Sequence, residues 1–539
     1  MQRVIGRLAA VDIPAPFGVT ASPDNHNPSQ VIADIYASGL GLPDRDYYFK
    51  PEPRFAEARD RYRAHVTSIF RIAGHRDAEV KAAAETVMAV ETKLAEASLD
   101  RTALRDPQAT DHKTTFAELQ KLAPLFDWAV YFDGTGLPRA DLNVQQPEFL
   151  KRFDRTLADT PLADWKTYLK WRLLGTAAPY LYAPFVEENF SFYNQYLEGA
   201  KEMKPRWKRC VESTDALLGE ALGQKYTEKH FPPAAKARMQ ELVKNLLLAM
   251  GDTIRGLTWM GEDTKIRALE KLATFNPKIG YPDKWKDYSS VRIRRDTYWY
   301  NVGEGRRFNV RDDLAQVGKP VDRGRWSMTP PTSNAYYSPL LNEIVFPAGI
   351  LQPPAFGMEA TDAVNYGAIG VVIGHEISHG FDDQGAQYDS EGGLNNWWTD
   401  ADLKKFQERG QCVVDQFEGY FIEPGIHHNG KLVLGESIGD LAGARIAYLA
   451  FRKSLEGKPP AATIDGFTPE QQFFVAWGQF RGDEIRPETQ RLMVQTDPHP
   501  TGKYRVIGPL SNMPEFQQAF TCAPTAAMVR PAGERCEVW

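Results

Sequence analysis

Cysteine, histidine, excess charge of one sign and long apolar runs are all scarce in this chain, and each scarcity excludes something. Lys and Arg number 64 against 70 Asp and Glu, a net charge of −6. That balance gives no electrostatic reason to expect nucleic acid or an anionic membrane as a partner. The basic run Lys201–Arg209 (KEMKPRWKR) is short and reads as a solvated helix face. No stretch approaches the ~18–20 consecutive apolar residues of a membrane span. The start, Met1 to Val11, lacks an apolar core followed by a cleavage site, so no signal peptide is visible. Four cysteines, Cys210, Cys412, Cys522 and Cys536, are too few and too scattered for a disulfide scaffold, and no C-x-x-C pair supports a thiolate metal site. Fixed-period repeats and low-complexity tracts are likewise absent.

What is there is a soluble globular composition, 42% hydrophobic and 25% charged, in 539 residues. A chain of that length exceeds one hydrophobic core, so two or more lobes are expected. The first segment, to about Pro53, is rich in Pro, Asn and Asp and reads as largely irregular. From about Phe55 to Glu270 the pattern is mostly helical. Ala78–Asp100, Trp165–Leu174, Val211–Leu222 and Ala234–Met250 carry apolar residues at helical spacing, and Trp128 and Trp171 are expected in the core. Gly and Pro break the pattern at Asn276–Lys284. β-Branched and aromatic residues follow at Val291–Ile293 and Thr297–Tyr300, and Asn334–Tyr337 and Glu343–Phe346 read as two short strands. Helices are expected again at Asp400–Gln416, from Gly435, and at Pro469–Phe480. The expected architecture is mainly α, a helical lobe over residues 1–275 and an α+β lobe over 276–539 that carries the chemistry.

That chemistry centres on His375-Glu376-Ile-Ser-His379. On a helix, i and i+4 share a face with Cβ atoms about 5–6 Å apart, so two imidazoles can grip one metal ion with Glu376 beside it. Zinc suits such a set, with three protein ligands and a position left for water, whose proton Glu376 is placed to take. With 10 histidines in 539 residues, a chance H-E-x-x-H has a likelihood on the order of one per cent. The apolar and Gly residues from Ala368 to Ile373 indicate a buried, rigid helix, so a zinc hydrolase is favoured over coincidence. The motif leaves the third ligand open. No third His follows at short spacing, since Asp382 and Asp383 come instead. Glu436 in Gly435-Glu-Ser-Ile-Gly-Asp440 is the best candidate, because Glu436 and Asp440 share a helical face. One carboxylate can bind metal while the other accepts the free N–H of a ligand His.

Several stretches together resemble the neprilysin family of zinc endopeptidases: Asn334-Ala-Tyr-Tyr337, Ile344-Val-Phe-Pro-Ala-Gly-Ile-Leu-Gln-Pro-Pro354, Val372-Ile-Gly-His-Glu-Ile-Ser-His-Gly-Phe-Asp-Asp383, Gly435-Glu-Ser-Ile-Gly-Asp440, Thr496-Asp-Pro-His-Pro500 running to Tyr504-Arg-Val-Ile-Gly508, and Cys536-Glu-Val-Trp539. Upstream, Gly41-Leu-Pro-Asp-Arg-Asp-Tyr-Tyr48 is similar as well. The similarity is tight from about Trp326 onward and looser before it. It implies a thermolysin-like catalytic lobe covered by a helical lobe, one zinc ion per chain, and oligopeptide substrates cut before hydrophobic residues. It also implies residue roles: His375, His379 and Glu436 as zinc ligands, Glu376 as the base, Asp440 and Asp382 as carboxylates that orient the ligand histidines. His499, on its own a lone histidine in a Pro-rich turn and more simply structural, becomes a donor to the oxyanion. Arg505 becomes the holder of a substrate carbonyl, Asn334 and Ala335 partners of substrate backbone, and Ile350, Val371, Val372 and Trp477 the apolar subsite. His427 and His428 match nothing in the pattern and read as surface loop.

The resemblance further implies a Cys412–Cys536 disulfide, a monomer, and an extracytoplasmic setting. Family members begin with a longer N-terminal region, and Met1 falls inside the corresponding fold, so the chain is expected to be short at that end. The stretch Arg481–Glu484, between Trp477 and Arg486-Pro-Glu, departs from the family pattern as an insertion. Two other readings stay open. A zinc aminopeptidase would need an acidic anchor for a free N-terminus, which the sequence does not offer. A catalytically silent peptide-binding homologue fits the short N-terminus but is opposed by the intact set His375, Glu376, His379, Glu436 and His499.

Overall fold

The structure, a computed structural model, describes residues 1–459 and 461–539. The chain is mainly helical with small mixed sheets, and it divides into two compact units. One holds Met1–Leu218, Asp287–Val321 and Arg486–Leu492; the other holds Gly219–Lys286, Asp322–Ile485 and Met493–Trp539. The division therefore falls at Leu218 and not at 275/276. Helices Pro233–Gly256 and Glu262–Ala273 place Leu242, Leu246, Met250 and Leu272 in the same core as Ile369, Ile373 and Ile377. An amphipathic face goes where its apolar stripe is buried, whatever the helical content of its neighbours in sequence.

In the first unit, strands β1 (Phe17–Asp24), β2 (Asn27–Ala37), β3 (Lys113–Thr114) and β4 (Leu142–Val144) form a sheet in the order β1-β2-β4-β3. The opening 53 residues are thus not irregular. Helix Gln2–Ala9 precedes a hairpin in which Phe17 faces Ala37, and Val31, Ala33 and Ile35 are buried at the period-2 spacing of a strand. The Asp and Asn that suggested a loop make its turn, and Pro23 lies in β1, the edge strand, where a missing N–H is tolerated. Two helices, Pro53–Ile72 and Asp77–Ala97, pack a second core around Tyr62, Val66, Val87 and Trp171. The aromatic run Tyr298–Tyr300 forms the first turn of helix Tyr298–Leu314.

In the second unit, β5 (Asn276–Gly280), β6 (Tyr336–Ser338) and β7 (Glu343–Pro347) form a sheet in the order β5-β7-β6. β5 runs parallel to β7 and β6 antiparallel to it, so β6 is an edge. The stretch that reads as a Gly/Pro break at Asn276 is β5 itself. Its close is Gly280, at φ +84°, a left-handed turn that Gly adopts without strain. Helices Val371–His379, Asp400–Glu418, Leu434–Ser454 and Pro469–Phe480 form the layer behind the sheet's core residues Ile344 and Phe346. Of three further helices, Pro487–Thr496 begins in the first unit, while Gly502–Ser511 and Pro514–Ala519 belong to the second; all are too short to declare themselves by periodicity, and Gly502–Ser511 is interrupted by Pro509. A disulfide joins Cys412 to Cys536 with Cα atoms 5.6 Å apart, while Cys210 and Cys522 are free thiols. Terminal Trp539 is buried against Phe381 and Trp398 and donates from Nε1 to the Phe381 carbonyl at 3.1 Å.

Candidate metal centre

Helix Val371–His379 continues from helix Asp362–Asn365 through one π-helical stretch, Tyr366–Gly370. Such π segments occur often beside functional sites. His375 and Glu376 are buried, and the rings of His375 and His379 lie 4.4 Å apart, nearly perpendicular. Helix Leu434–Ser454 crosses this one at backbone contact. A Cβ at Gly374 would come within 2.7 Å of the Gly443 carbonyl oxygen, and one at Gly443 within 2.6 Å of the His375 nitrogen. Only paired glycines permit that approach, and it brings Glu436, in the first turn of the second helix, onto the two imidazoles.

His375 Nε2 is 3.2 Å from one Glu436 oxygen and His379 Nε2 is 3.6 Å from the other. One ligand atom from each of the three residues lies within 4.8 Å of the others. Each imidazole is oriented through its other nitrogen: His375 Nδ1 meets Asp440 at 3.0 Å, and His379 Nδ1 meets Asp382 at 2.7 Å. Asp382 is itself fixed by accepting the backbone N–H groups of Gln384 and Gly385, at 2.9 and 2.7 Å. With Nδ1–H donating to a carboxylate, Nε2 keeps its lone pair and turns it toward the shared point. Two imidazole nitrogens and a carboxylate oxygen, each backed by a hydrogen-bonding partner, are the donor set of a zinc site with room for a further ligand.

The electrostatics point the same way. Burial opposes ionisation of Glu436, yet His379, His375 and His499 outweigh it and hold the carboxyl well below its ordinary range. Burial also opposes a charge on His379, but Glu436 and Asp382 overcome it and raise the imidazole to about 10. Protons here stand where a cation fits: a cluster of carboxylates closed around neutral ligands needs positive charge at its centre. Glu376 differs from Glu436, because burial dominates its environment and raises its carboxyl.

A cavity of about 360 Å³ opens onto these groups. Of the residues expected at the site, it is lined by His375, Glu376, His379, Asp382, Glu436, His499, Arg505, Asn334, Ala335, Ile350 and Val372. His499 is 3.2 Å from Glu436 through Nε2 and is held at Nδ1 by Asp497 at 2.6 Å. Arg505 binds Asp440 with a two-pronged fork, at 2.7 and 2.8 Å, and its Nη2 is 3.5 Å from both ring nitrogens of His375, so it lies over the ring face. Three expected residues stand behind the cavity. Asp440 and Val371 are fully buried, and Trp477, equally buried, donates from Nε1 to the Arg505 carbonyl at 3.1 Å.

Two features escaped the sequence. His428 is not surface loop: it is fully buried, with Nδ1 on the Tyr420 carbonyl at 3.1 Å and Nε2 accepting the Thr501 N–H at 3.1 Å. It thereby holds the turn that presents His499, a role with no local signal. Phe480 and Arg481 line the cavity where Trp477 does not. Their only sequence trace is that Arg481 opens the stretch that departs from the family pattern. A larger groove, of about 940 Å³, lies between helix Pro233–Gly256 and β5, and includes no metal-ligating cluster among the described residues.

The models of peptidase family M13 match the chain twice, an N-terminal one over residues 1–282 and a peptidase one over residues 334–536. Human endothelin-converting enzyme 1 is 34% identical over 97% of this chain and 69% of its own length. Neprilysin-3 of Drosophila melanogaster is 32% identical over the same shares, 97% and 69%. The crystal structure of Mycobacterium tuberculosis zinc metalloprotease ZMP1 in complex with an inhibitor matches all of this chain and 82% of that one, at 39% identity and a TM-score of 0.96. A motif-bearing helix, a second helix delivering the carboxylate, and similarity that runs the length of the chain agree: the protein belongs to peptidase family M13, the neprilysin family of zinc metalloendopeptidases.

Proposed function

We propose that the enzyme cuts oligopeptides internally, on the amino side of hydrophobic residues, with Glu376 as the proton carrier. The observation that carries this reading is the position of Glu376, buried, raised by burial, and facing the same cavity as the three ligand side chains. Zinc held by His375, His379 and Glu436 would supply Lewis acidity toward the scissile carbonyl and a more acidic attacking water. A carboxylate with a raised pKa takes a proton from water and then releases it to the leaving amine. His499, steadied by Asp497 and by the His428-held turn, offers Nε2–H in its protonated form to the developing oxyanion, a kind of donor worth about 10²–10³ in turnover. Arg505 commits Nε and Nη2 to Asp440, so Nη1 is the nitrogen left for a substrate carbonyl.

Substrate backbone would pair beside β6, whose edge follows directly on Asn334 and Ala335, as an added strand. The residue after the cut would enter the apolar part of the cavity, walled by Ile350, Val372 and Phe480. An extracytoplasmic setting is part of the proposal and is supported by the Cys412–Cys536 disulfide, a bond favoured outside reducing compartments.

The test is hydrolysis of a quenched, N-acetylated peptide with a central Phe, with and without chelator, with zinc returned, and beside Glu376→Gln. Chelator-sensitive cleavage before Phe, lost in the variant while one zinc per chain is retained, is the expected result. Cleavage only of peptides with a free N-terminus would instead make the enzyme an aminopeptidase. Unchanged turnover in Glu376→Gln would remove Glu376 from the chemistry.

A further inference from the structure

Arg481, on the wall of the catalytic cavity, is paired with no carboxylate in direct contact among the described residues. It follows directly on helix Pro469–Phe480, and its guanidinium lies over the rings of Trp477 and Phe480, at 5.0 and 5.2 Å from their centroids. Its Nε is enclosed and has no hydrogen-bond partner among the described residues. Asp440, Glu436 and Asp483 attract it through space, and none of them hydrogen-bonds it. The first two are already engaged: Asp440 holds Arg505 and His375, and Glu436 faces the imidazoles. Burial, followed by the like charge of Arg505, pulls the Arg481 guanidinium down to about 10.

The segment that carries it is anchored. The Asp483 N–H donates to the Arg481 carbonyl at 2.8 Å, and the Asp483 carboxylate rests on Gly502, where a Cβ would come within 1.9 Å of Asp483 Oδ1. Gly502 opens the helix that bears Arg505, so Arg481 and Arg505 are fixed to the same element.

A cation partly withdrawn from water, with an enclosed and unpartnered Nε and a second cation beside it, gains from an anion that enters the cavity. The guanidinium fork matches a carboxylate. We propose that Arg481 receives a substrate carboxylate on the C-terminal side of the scissile bond, so that the enzyme selects peptides carrying one there. The side follows from the neighbours: Phe480 borders the subsite for the residue after the cut, and Arg505 faces the carbonyl beyond it. The inference rests on the function proposed above. The carboxylate has two sources, an Asp or Glu side chain soon after the cut or the free C-terminus of a short peptide.

The experiment uses N-acetylated peptides with a common central Phe. One pair carries Glu or Gln after the Phe with an amidated end; a second pair carries Gln with a free or an amidated C-terminus. Dissociation constants are measured by calorimetry on the zinc-loaded Glu376→Gln protein, and kcat/KM on the wild type, each also with Arg481→Met and Arg481→Lys. An acidic member of at least one pair is expected to be favoured tenfold or more over its neutral partner, and the pair that shows it identifies the source. Arg481→Met should bring that ratio below twofold, and Arg481→Lys, which keeps the charge and loses the fork, should retain part of it. Ratios within twofold for both pairs in the Arg481-bearing protein, or a tenfold ratio that survives Arg481→Met, overturn the proposal. Equal, chelator-sensitive cleavage of all four peptides leaves the endopeptidase reading standing and removes this one. Selective binding without any wild-type cleavage does the reverse.

Discussion

Replacing Asp440 by Asn separates two jobs that one carboxylate performs. Its side chain is fully buried, accepts both prongs of Arg505 at 2.7 and 2.8 Å, and holds His375 Nδ1 at 3.0 Å. Asn keeps the size but removes the charge, and its NH₂ group must face either the guanidinium or the imidazole N–H. Loss of a carboxylate behind a metal-ligating His costs 10–100-fold in metal affinity or activity as a rule, so zinc affinity is expected to fall by about that much. Separately, Arg505, 6% exposed, loses its counter-ion. Breaking a buried pair on one side costs about 3–5 kcal/mol. Glu436, 3.5 Å from Arg505, can take up part of the charge when no metal holds it, which places the metal-free protein at the lower end of that range. Zinc affinity would be read by competition with a chromophoric chelator, and stability by urea unfolding of the metal-free protein. The double variant Asp440→Asn with Arg505→Met has no stranded cation. It should recover most of the stability while zinc binding stays weak. If Asp440→Asn binds zinc within twofold of wild type and unfolds at the same urea concentration, the role assigned to this carboxylate is wrong. If the double variant is no more stable than the single one, the stranded-cation argument fails on its own.

Three further outcomes follow, two from groups away from the metal and one from the packing behind it. Glu91 is fully buried among Tyr48, Tyr62 and Trp171, and burial, opposed by Arg172 and the tyrosine hydroxyls, raises its carboxyl to about 7 from an ordinary 4.5. The folded state then holds a proton that the unfolded state releases first, so stability falls as pH rises from about 4.5 to 7, by about 3 kcal/mol, and levels off above; Glu91→Gln should flatten that slope in urea unfolding across the same pH range. Reducing Cys412–Cys536, a link spanning 124 residues, should cost about 4–5 kcal/mol on the chain-entropy scale, and Cys412→Ser should make the unfolding midpoint insensitive to reductant. At Gly443 an added methyl meets His375 backbone at 2.6 Å, so Gly443→Ala must push the two ligand helices apart; displacement on the order of 1 Å can cost 10²-fold in rate, and zinc affinity should drop with it. Gly410→Ala is the control, because its nearest neighbour would be Leu434 at 3.9 Å and the helix gains about 0.5–1 kcal/mol from losing a glycine; equal activity loss in the two would refute the close-approach argument.

What the sequence discloses about this site depends on how local the geometry is. His375, Glu376 and His379 lie within little more than one turn, so helical spacing alone turns the two imidazoles to one point with Glu376 beside them, and Asp382 reaches His379 from three residues away. Asp440 follows from Glu436 by the same rule. His428 and Arg481 lie outside any such rule. His428 acts through Thr501, 73 residues away, and Arg481, although one turn after Trp477, matters through the cavity it shares with Arg505; only tertiary packing sets up either. The amino-terminal hairpin was hidden differently: its Asp, Asn and Pro outweigh a five-residue alternation from Val31 to Ile35 that is strand-like by itself.

Glu436 sits between these cases, since its spacing to Asp440 made it the best candidate for the third ligand without saying what brings it to the two histidines. A physical clue to it lay in the glycines at 435, 439 and 443, spaced four apart on one face of a long helix. Each glycine in a helix interior costs about 0.5–1 kcal/mol relative to Ala. The two in the helix interior, Gly439 and Gly443, are therefore costly unless another element runs against that stripe, as helix Val371–His379 does here: a Cβ at Gly439 would meet His375 Nδ1 at 2.7 Å and one at Gly443 would meet its backbone nitrogen at 2.6 Å. A run of glycines at helical spacing next to an acidic residue is thus a statement about a neighbour, and with H-E-x-x-H carrying its own glycine at Gly374, the neighbour is the metal helix.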